Sequence, residues 1–375
     1  MRICKRCVQP DTRPHIYFNE EGICGACLWE EEKKTIDWSA REKELQDIVD
    51  WAKRATKGNY DCVIGVSGGK DSTTQAITAR DRLGLRCLLV NSEPEGITEI
   101  GKHNIENLKN LGFDVISIRP NPVVMKKLMK RDFYKYLNPV KITEYSLWSS
   151  AYIIADKFEI PLIIQGENAG LTLGISLSGL GTGYDALKVN ETSSLASGWK
   201  EYLDVEGVGE KDLFLFHYDR KRLEEKGIRG IWLQYFLKDW SLKNNAEFAK
   251  KHGLRWKPED TDPNSIGTYY LFSQLDSDVV QVNQMLKSIK LGFGQCVDHA
   301  CYDIREGRIT RREAINLVKK YDGKCSEYYI KFFCDYLGIT LDEFWRVTDK
   351  FRGPMWIKKD GKWYNTYFDL LDQSP

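Results

Sequence analysis

Between residues 61 and 165, short unbroken apolar runs alternate with amphipathic stretches. Asp61 to Val66 is apolar and partly β-branched, which predicts a strand buried on both faces. After a Ser-Gly-Gly turn, Thr73 to Leu83 places Ala76, Ile77, Ala79 and Leu83 on one helical face and ends at Gly84. The alternation continues with strands at Arg86–Asn91, Asp114–Ile118 and Pro161–Gln165. Helices are predicted at Glu99–Leu111 (ended by Gly112), Pro122–Leu137 and Glu144–Phe158. Strands and helices at this spacing form βαβ units, so the fold class is α/β: a parallel sheet with helices on both faces.

Different patterns flank that stretch. Leu28 to Lys57 reads as charged helix with a capping box at Ser39-x-x-Glu42, and Glu30 to Lys34 as its solvated face. Gly170 to Gly183 is rich in glycine, which predicts a mobile active-site loop or a plain flexible connection, and Asp185 to Lys211 is polar without a clear period. Beyond Asp212 the β pattern fades. Helices are predicted at Leu242–Lys251, Gln274–Leu291, Thr310–Tyr321 and Thr340–Thr348, the last two opening with the capping boxes Thr310-x-x-Glu313 and Thr340-x-x-Glu343. Tryptophans in this half read as core. The chain therefore divides into a cysteine module (1–38), an α/β domain (39–200) and a mainly helical C-terminal substrate or partner domain (201–375).

Composition narrows the function classes. Basic and acidic residues balance at 55 and 54, a net charge of +1, so no global nucleic-acid or membrane footprint is expected. No apolar run approaches the length of a membrane span, and no apolar segment follows Met1 to Cys7 as a secretion signal requires. A cytoplasmic protein is expected, and its ten cysteines then point to metal or buried thiols rather than disulfides.

The first candidate chemistry lies at Ser67-Gly68-Gly69-Lys70-Asp71-Ser72. Glycines admit a close backbone approach, and free N–H groups at a helix start, with the helix dipole, favour an anion. Lys70 adds a point charge suited to phosphate, and Ser67 and Ser72 add hydroxyl donors. The loop is too short for Walker A and lacks the spaced glycines of a dinucleotide fingerprint. In parallel sheets ligands sit beyond the carboxyl ends of strands, which makes Asn91-Ser92-Glu93 and Gly166-Glu167-Asn168 further candidates. Cys4-x-x-Cys7 and Cys24-x-x-Cys27 form two knuckles that supply the four soft ligands of a structural zinc site, with redox or sulfur-carrying cysteines as the rival. His15 reads as a loop histidine. Cys296, His299 and Cys301 match no common metal spacing and read as buried thiols beside a surface histidine.

Ser-Gly-Gly-Lys-Asp-Ser resembles the PP-loop of N-type ATP pyrophosphatases. The whole chain resembles the N-acetyl sugar amidotransferases of lipopolysaccharide O-antigen and pseudaminic acid biosynthesis. The resemblance is carried by Cys4-Lys5-Arg6-Cys7-Val8-x-Pro10-Asp11-Thr12-Arg13-Pro14, Gly22-Ile23-Cys24-x-x-Cys27 and Val66 to Ser72. It continues through Lys290-x-Gly292-Phe293-Gly294 and Asp303-Ile304-Arg305-x-Gly307-x-Ile309-Thr310-Arg311. It implies an adenine nucleotide alpha hydrolase-like fold, and ATP held by Ser67, Gly68, Gly69, Lys70, Asp71, Ser72, Asn91, Gly166, Glu167 and Asn168. Lys70 and Asp71 would be catalytic, with Mg²⁺ near Asp71 and a structural Zn²⁺ on Cys4, Cys7, Cys24 and Cys27. The implied reaction turns the acetamido group of a nucleotide-activated N-acetyl sugar into an acetamidino group. Arg2 follows Met1, and neither Cys62 nor Cys87 has an elbow glycine, so no glutaminase of its own is expected. The resemblance implies a separate one, similar to the glutaminase and cyclase subunits of imidazole-glycerol-phosphate synthase. The alternative is a PP-loop tRNA thiolation enzyme, against which stand the neutral balance and the isolation of Cys62 and Cys87.

Overall fold

The computed structural model describes residues 2–175, 183–189 and 195–373. Its centre is a parallel five-stranded sheet, β1 (Cys62–Val66), β2 (Cys87–Ser92), β3 (Asp114–Ile118), β4 (Leu162–Gln165) and β5 (Arg229–Trp232), in the order β3-β2-β1-β4-β5. Val63 pairs with Leu88 on one side and Ile163 on the other. Alternation along the strands builds two cores. Cys62, Ile64 and Val66 face Leu45, Val49, Ala76 and Leu108, whereas Val63, Leu88 and Val90 face Ala151, Tyr152 and Ala155. Helices therefore cover both faces, α2 (Trp38–Ala55), α3 (Lys70–Ile77) and α4 (Glu99–Asn110) on one and α6 (Lys141–Phe158) on the other. Helix α1 (Gly25–Glu32) precedes them, and α5 (Pro122–Tyr136) lies between β3 and α6.

The fifth strand corrects the sequence reading, in which β structure ends before Asp212. Arg229–Trp232 is only four residues long, too short for a period to register, yet Ile163 and Ile164 of β4 align with Gly230 and Ile231. Helix starts also shift where a cap decides. Asp37, not Ser39, caps α2 by accepting from the Ala40 N–H at 3.0 Å. Thr310 and Glu313 form the expected reciprocal box, but at Thr340 only half of it forms: the Thr340 hydroxyl accepts from the Glu343 N–H, while the Glu343 carboxylate accepts from the Tyr134 hydroxyl.

Helices dominate the remainder: α7 (Ala169–Thr172), α8 (Arg220–Glu225), α9 (Leu242–Lys251), α10 (Pro263–Ile266), α11 (Asp278–Leu291), α12 (Gln295–Arg305), α13 (Arg311–Tyr321), α14 (Glu327–Leu337) and α15 (Leu341–Asp349). A hairpin of β6 (Trp356–Lys359) and β7 (Lys362–Asn365) and a last helix, α16 (Tyr367–Gln373), close the chain. Phe133 of α5 meets Phe333 and Phe344 at ring centroids of 5.3 and 5.6 Å, which fastens the α/β domain to α14 and α15. The cysteine module shares a core with α12, α13 and α16, where Cys4, Cys7 and Ile23 join Phe293, Val297, Val318 and Tyr367. The two ends of the chain are thus one packed unit.

Residues 176–182 of the glycine-rich stretch lie outside the described residues. The part before them is strapped down: Ile175 bridges to Ile16, and a Cβ on Gly174 (φ +66°) would lie 2.3 Å from the Ala26 nitrogen. Among the described residues no helix is long and apolar enough to cross a membrane.

Candidate active site

At the carboxyl end of β1 the chain reverses through Ser67, Gly68 and Gly69 into α3. Gly68 takes a left-handed φ of +74°, and a Cβ there would press within 3.2 Å of Asn104 and Ile105. Gly69 is the N-cap with no side chain to offer, so the first amides of α3 are left for something outside the helix. Ser67 Oγ accepts from the Gly69 N–H at 3.3 Å, and the Ser72 hydroxyl donates to the Gly69 carbonyl at 3.2 Å. Lys70 Nζ donates to Asp71 Oδ2 at 2.7 Å with both side chains partly buried. The turn lies between β2 and β4, where strand order reverses, the position at which α/β sheets bind ligands.

The other strand-end candidates converge on this turn but differ in availability. Asn91 is buried and its amide donates to the Val66 carbonyl at 2.9 Å, clamping the end of β1. Gly166 has no room for a side chain, because a Cβ would stand 2.9 Å from Gln75 Oε1. Asn168 caps α7 and receives the Gln234 amide oxygen on its own N–H at 2.8 Å. Glu167 points outward to the C-terminal domain, accepting from the Tyr302 hydroxyl at 2.8 Å.

Several site neighbours carry no sequence signal, because they come from distant elements. Asn245 of α9 donates to Asp71 Oδ1 at 2.9 Å. Phe272 lies under Lys70 Nζ, 5.9 Å from ring centre to nitrogen, and packs at a tilt on Tyr270, which in turn stacks on His299. His299 corrects the expectation of a surface histidine: it is 8% exposed, with Nδ1 2.6 Å from the Thr268 hydroxyl. Burial pushes its pKa down to about 3; Asp298 opposes this, and the charges of Lys70 and Lys287 add to it. Only a periodicity argument for α12 could have found it, since Cys296, Ala300 and Asp303 share its buried face.

The cysteine module fits a metal. All four sulfurs lie within 4.8 Å of one another, with Cys4–Cys27 at 3.9 Å and Cys7–Cys24 at 3.7 Å. Zinc–sulfur bonds of about 2.3 Å in a tetrahedron require sulfur separations of about 3.8 Å. Without a cation the thiols conflict. Cys24, Cys27 and Cys7 stabilise a Cys4 thiolate by hydrogen bonding, while Cys24, Cys4 and Cys7, with burial, push Cys27 far up. A dication among them removes that conflict. Burial works against the charge of Arg305, but Cys301, Cys7, Tyr302 and Cys27 outweigh it and hold the guanidinium ionised beside the module. Arg305 also donates to the Thr172 carbonyl at 3.2 Å, so α12 links the cysteines to the loop after β4.

Cys62 and Cys87 are not isolated in space, which corrects the sequence reading: paired across β1 and β2, their sulfurs are 3.5 Å apart. Both open their strands, however, about 13 Å below the strand ends that carry the turn. That puts them at the opposite edge of the sheet from the turn.

A doubly wound parallel sheet with a glycine turn and a helix start at its switch point thus defines the class of the α/β domain. Residues 265–370 match the family model for the C-terminal domain of WbpG-like LPS biosynthesis proteins. The match takes in Lys290 to Gly294 and Asp303 to Arg311, two of the segments that carry the resemblance to lipopolysaccharide enzymes. Among solved structures the chain is similar to NMN synthetase from Francisella tularensis, at 15% identity over 60% of this chain and 99% of that one. The TM-score of 0.28 makes this a loose likeness on which nothing further rests. No curated protein matches.

Proposed function

We propose that this chain is an ATP-dependent amidotransferase that converts the acetamido group of a nucleotide-activated bacterial surface sugar to acetamidino. The observation that carries the reading is the Ser67–Ser72 turn at the switch point, joined to a C-terminal region that matches an LPS biosynthesis domain. Amide oxygen leaves poorly. The acetamido oxygen attacks the α-phosphorus of ATP, pyrophosphate departs, and ammonia then adds to the O-adenyl imidate and expels AMP.

The work of this chain is to hold the phosphates and to meet the charge that develops on the leaving pyrophosphate. The amides at the start of α3, the ammonium of Lys70 and the hydroxyls of Ser67 and Ser72 serve that end. Asp71 has spare lone pairs beside its bonds to Lys70 and Asn245, which fit a Mg²⁺ that neutralises phosphate charge. Cys4, Cys7, Cys24 and Cys27 would hold zinc as scaffold. Ammonia comes from a separate glutaminase, and the enzyme works in the cytoplasm.

The test is mass spectrometry of a nucleotide-linked N-acetyl sugar incubated with the protein, ATP, Mg²⁺ and an ammonium salt. Exchange of oxygen for NH lowers the mass by about one unit. Glutamine without a glutaminase should give no product. Hydrolysis of ATP to ADP, or glutamine-dependent product from the isolated chain, would refute the corresponding parts.

A further inference from the structure

A cleft of about 1500 Å³, counted to its open mouth, lies where three segments meet: Arg13–His15 of the cysteine module, Tyr136–Glu144 at the junction of α5 and α6, and Asn283–Leu291 of α11. We propose that it seats the acceptor, and that the acceptor it fits is a phosphorylated sugar, anionic at one end and rich in hydroxyls at the other. The proposal rests on the function above, since it places that reaction's second substrate.

Charge is the first argument. Arg13 and Lys287 both pair with the single carboxylate of Asp298, so two cations share one anion. Lys290 donates to the Tyr136 carbonyl at 2.9 Å, and Glu144 lines the same cleft. Lys141 is matched by Glu201. The walls keep an excess of positive charge, which a phosphate relieves. Unfilled acceptors are the second argument. The amide oxygens of Asn138 and Gln284 are out of solvent with no hydrogen-bond partner among the described residues. A buried acceptor left empty costs about 1–3 kcal/mol, and inorganic phosphate has too few donors to supply both. Rotation of the Asn138 and Gln284 amides towards the cleft, whose lining includes both residues, would present them to sugar hydroxyls and an acetamido N–H. Position is the third. Leu173 and Ile175, on the segment that leaves the carboxyl end of β4, line the cleft together with Asp298, which ties it to the sheet end that carries the Lys70 turn.

The experiment is calorimetric titration of the zinc-loaded full chain with two probes, UDP-N-acetylglucosamine and N-acetylglucosamine 1-phosphate, each beside a parallel titration with MgATP. A nucleotide-linked acceptor predicts tighter binding of the first; equal binding of both marks the sugar phosphate itself as the recognised part, as in a lipid-linked acceptor. Lys290→Met should weaken binding of both probes at least tenfold while MgATP binding stays within twofold. Gln284→Met should weaken the probes without lowering the melting temperature, because it removes an orphaned acceptor rather than a bond, and a merely structural role would move the melting temperature instead. Failure of both probes to bind, or full affinity in both variants, would overturn the cleft assignment. Failure of wild type to bind MgATP would overturn the functional reading on its own and leave the sugar titrations to be judged separately.

Discussion

Asn245 donates its amide to Asp71 Oδ1 at 2.9 Å while Lys70 donates to Oδ2 of the same carboxylate at 2.7 Å, so a residue of α9 fixes the orientation of the acidic group beside the turn. Its own carbonyl receives the Thr74 hydroxyl at 3.1 Å, which locks α9 against α3. On the proposed function Asn245 would be a positioning residue, acting through Asp71. Asn245→Ala should lower kcat about tenfold with little change in the KM for ATP, and Asn245→Asp should lower it further by setting two carboxylates together. Steady-state kinetics of the two variants check this; equal kcat in wild type and both variants would remove Asn245 from the site.

Lys70 faces the turn from the first residue of α3, where its charge adds to that of the helix start. Lys70→Ala should cut ATP turnover well over tenfold, through lost stabilisation of charge in the transition state. Nucleotide chromatography should find AMP and pyrophosphate as the products. Unaltered turnover in the variant would place the phosphates elsewhere.

Metal analysis should find one zinc per chain, lost in the double variant Cys24→Ser plus Cys27→Ser. Because the module shares its core with α12 and α13, removal of zinc by a chelator should lower the melting temperature of the whole protein rather than fray one end. Retention of full zinc by the double variant would exclude these ligands.

His299 gives the fold a pH dependence whose sign follows from burial. The unfolded imidazole takes up a proton near pH 6.5, while burial holds the folded one down to about 3. The unfolded chain therefore binds more protons between those values, and stability falls as pH drops from 6.5 towards 3. His299→Asn should flatten this slope in urea melts between pH 4 and 6.5. NMR should find no titration of the His299 ring between pH 5 and 8; a midpoint near 6.5 would mean the ring is solvated.

Strand alternation, the glycine turn and the cysteine spacing are local matters, and the sequence by itself determined them. Val63 and Ile64 must face opposite cores in any buried strand, Gly68 meets a φ that side chains resist, and two Cys-x-x-Cys knuckles bring four sulfurs together wherever they pack. The tertiary structure decided what depends on partners far along the chain. Arg229–Trp232 is a strand only because β4 offers it an open edge. His299 is buried only because Thr268 and Tyr270 fold over it, and Asp71 is oriented only because α9 docks on α3. Cys62 and Cys87 became neighbours through strand register, the same register that keeps them at the far end of the sheet from the turn. Periodicity reports which face of an element is apolar; it carries no information on which distant element will cover that face, and there lie the parts of this site that the sequence left unread.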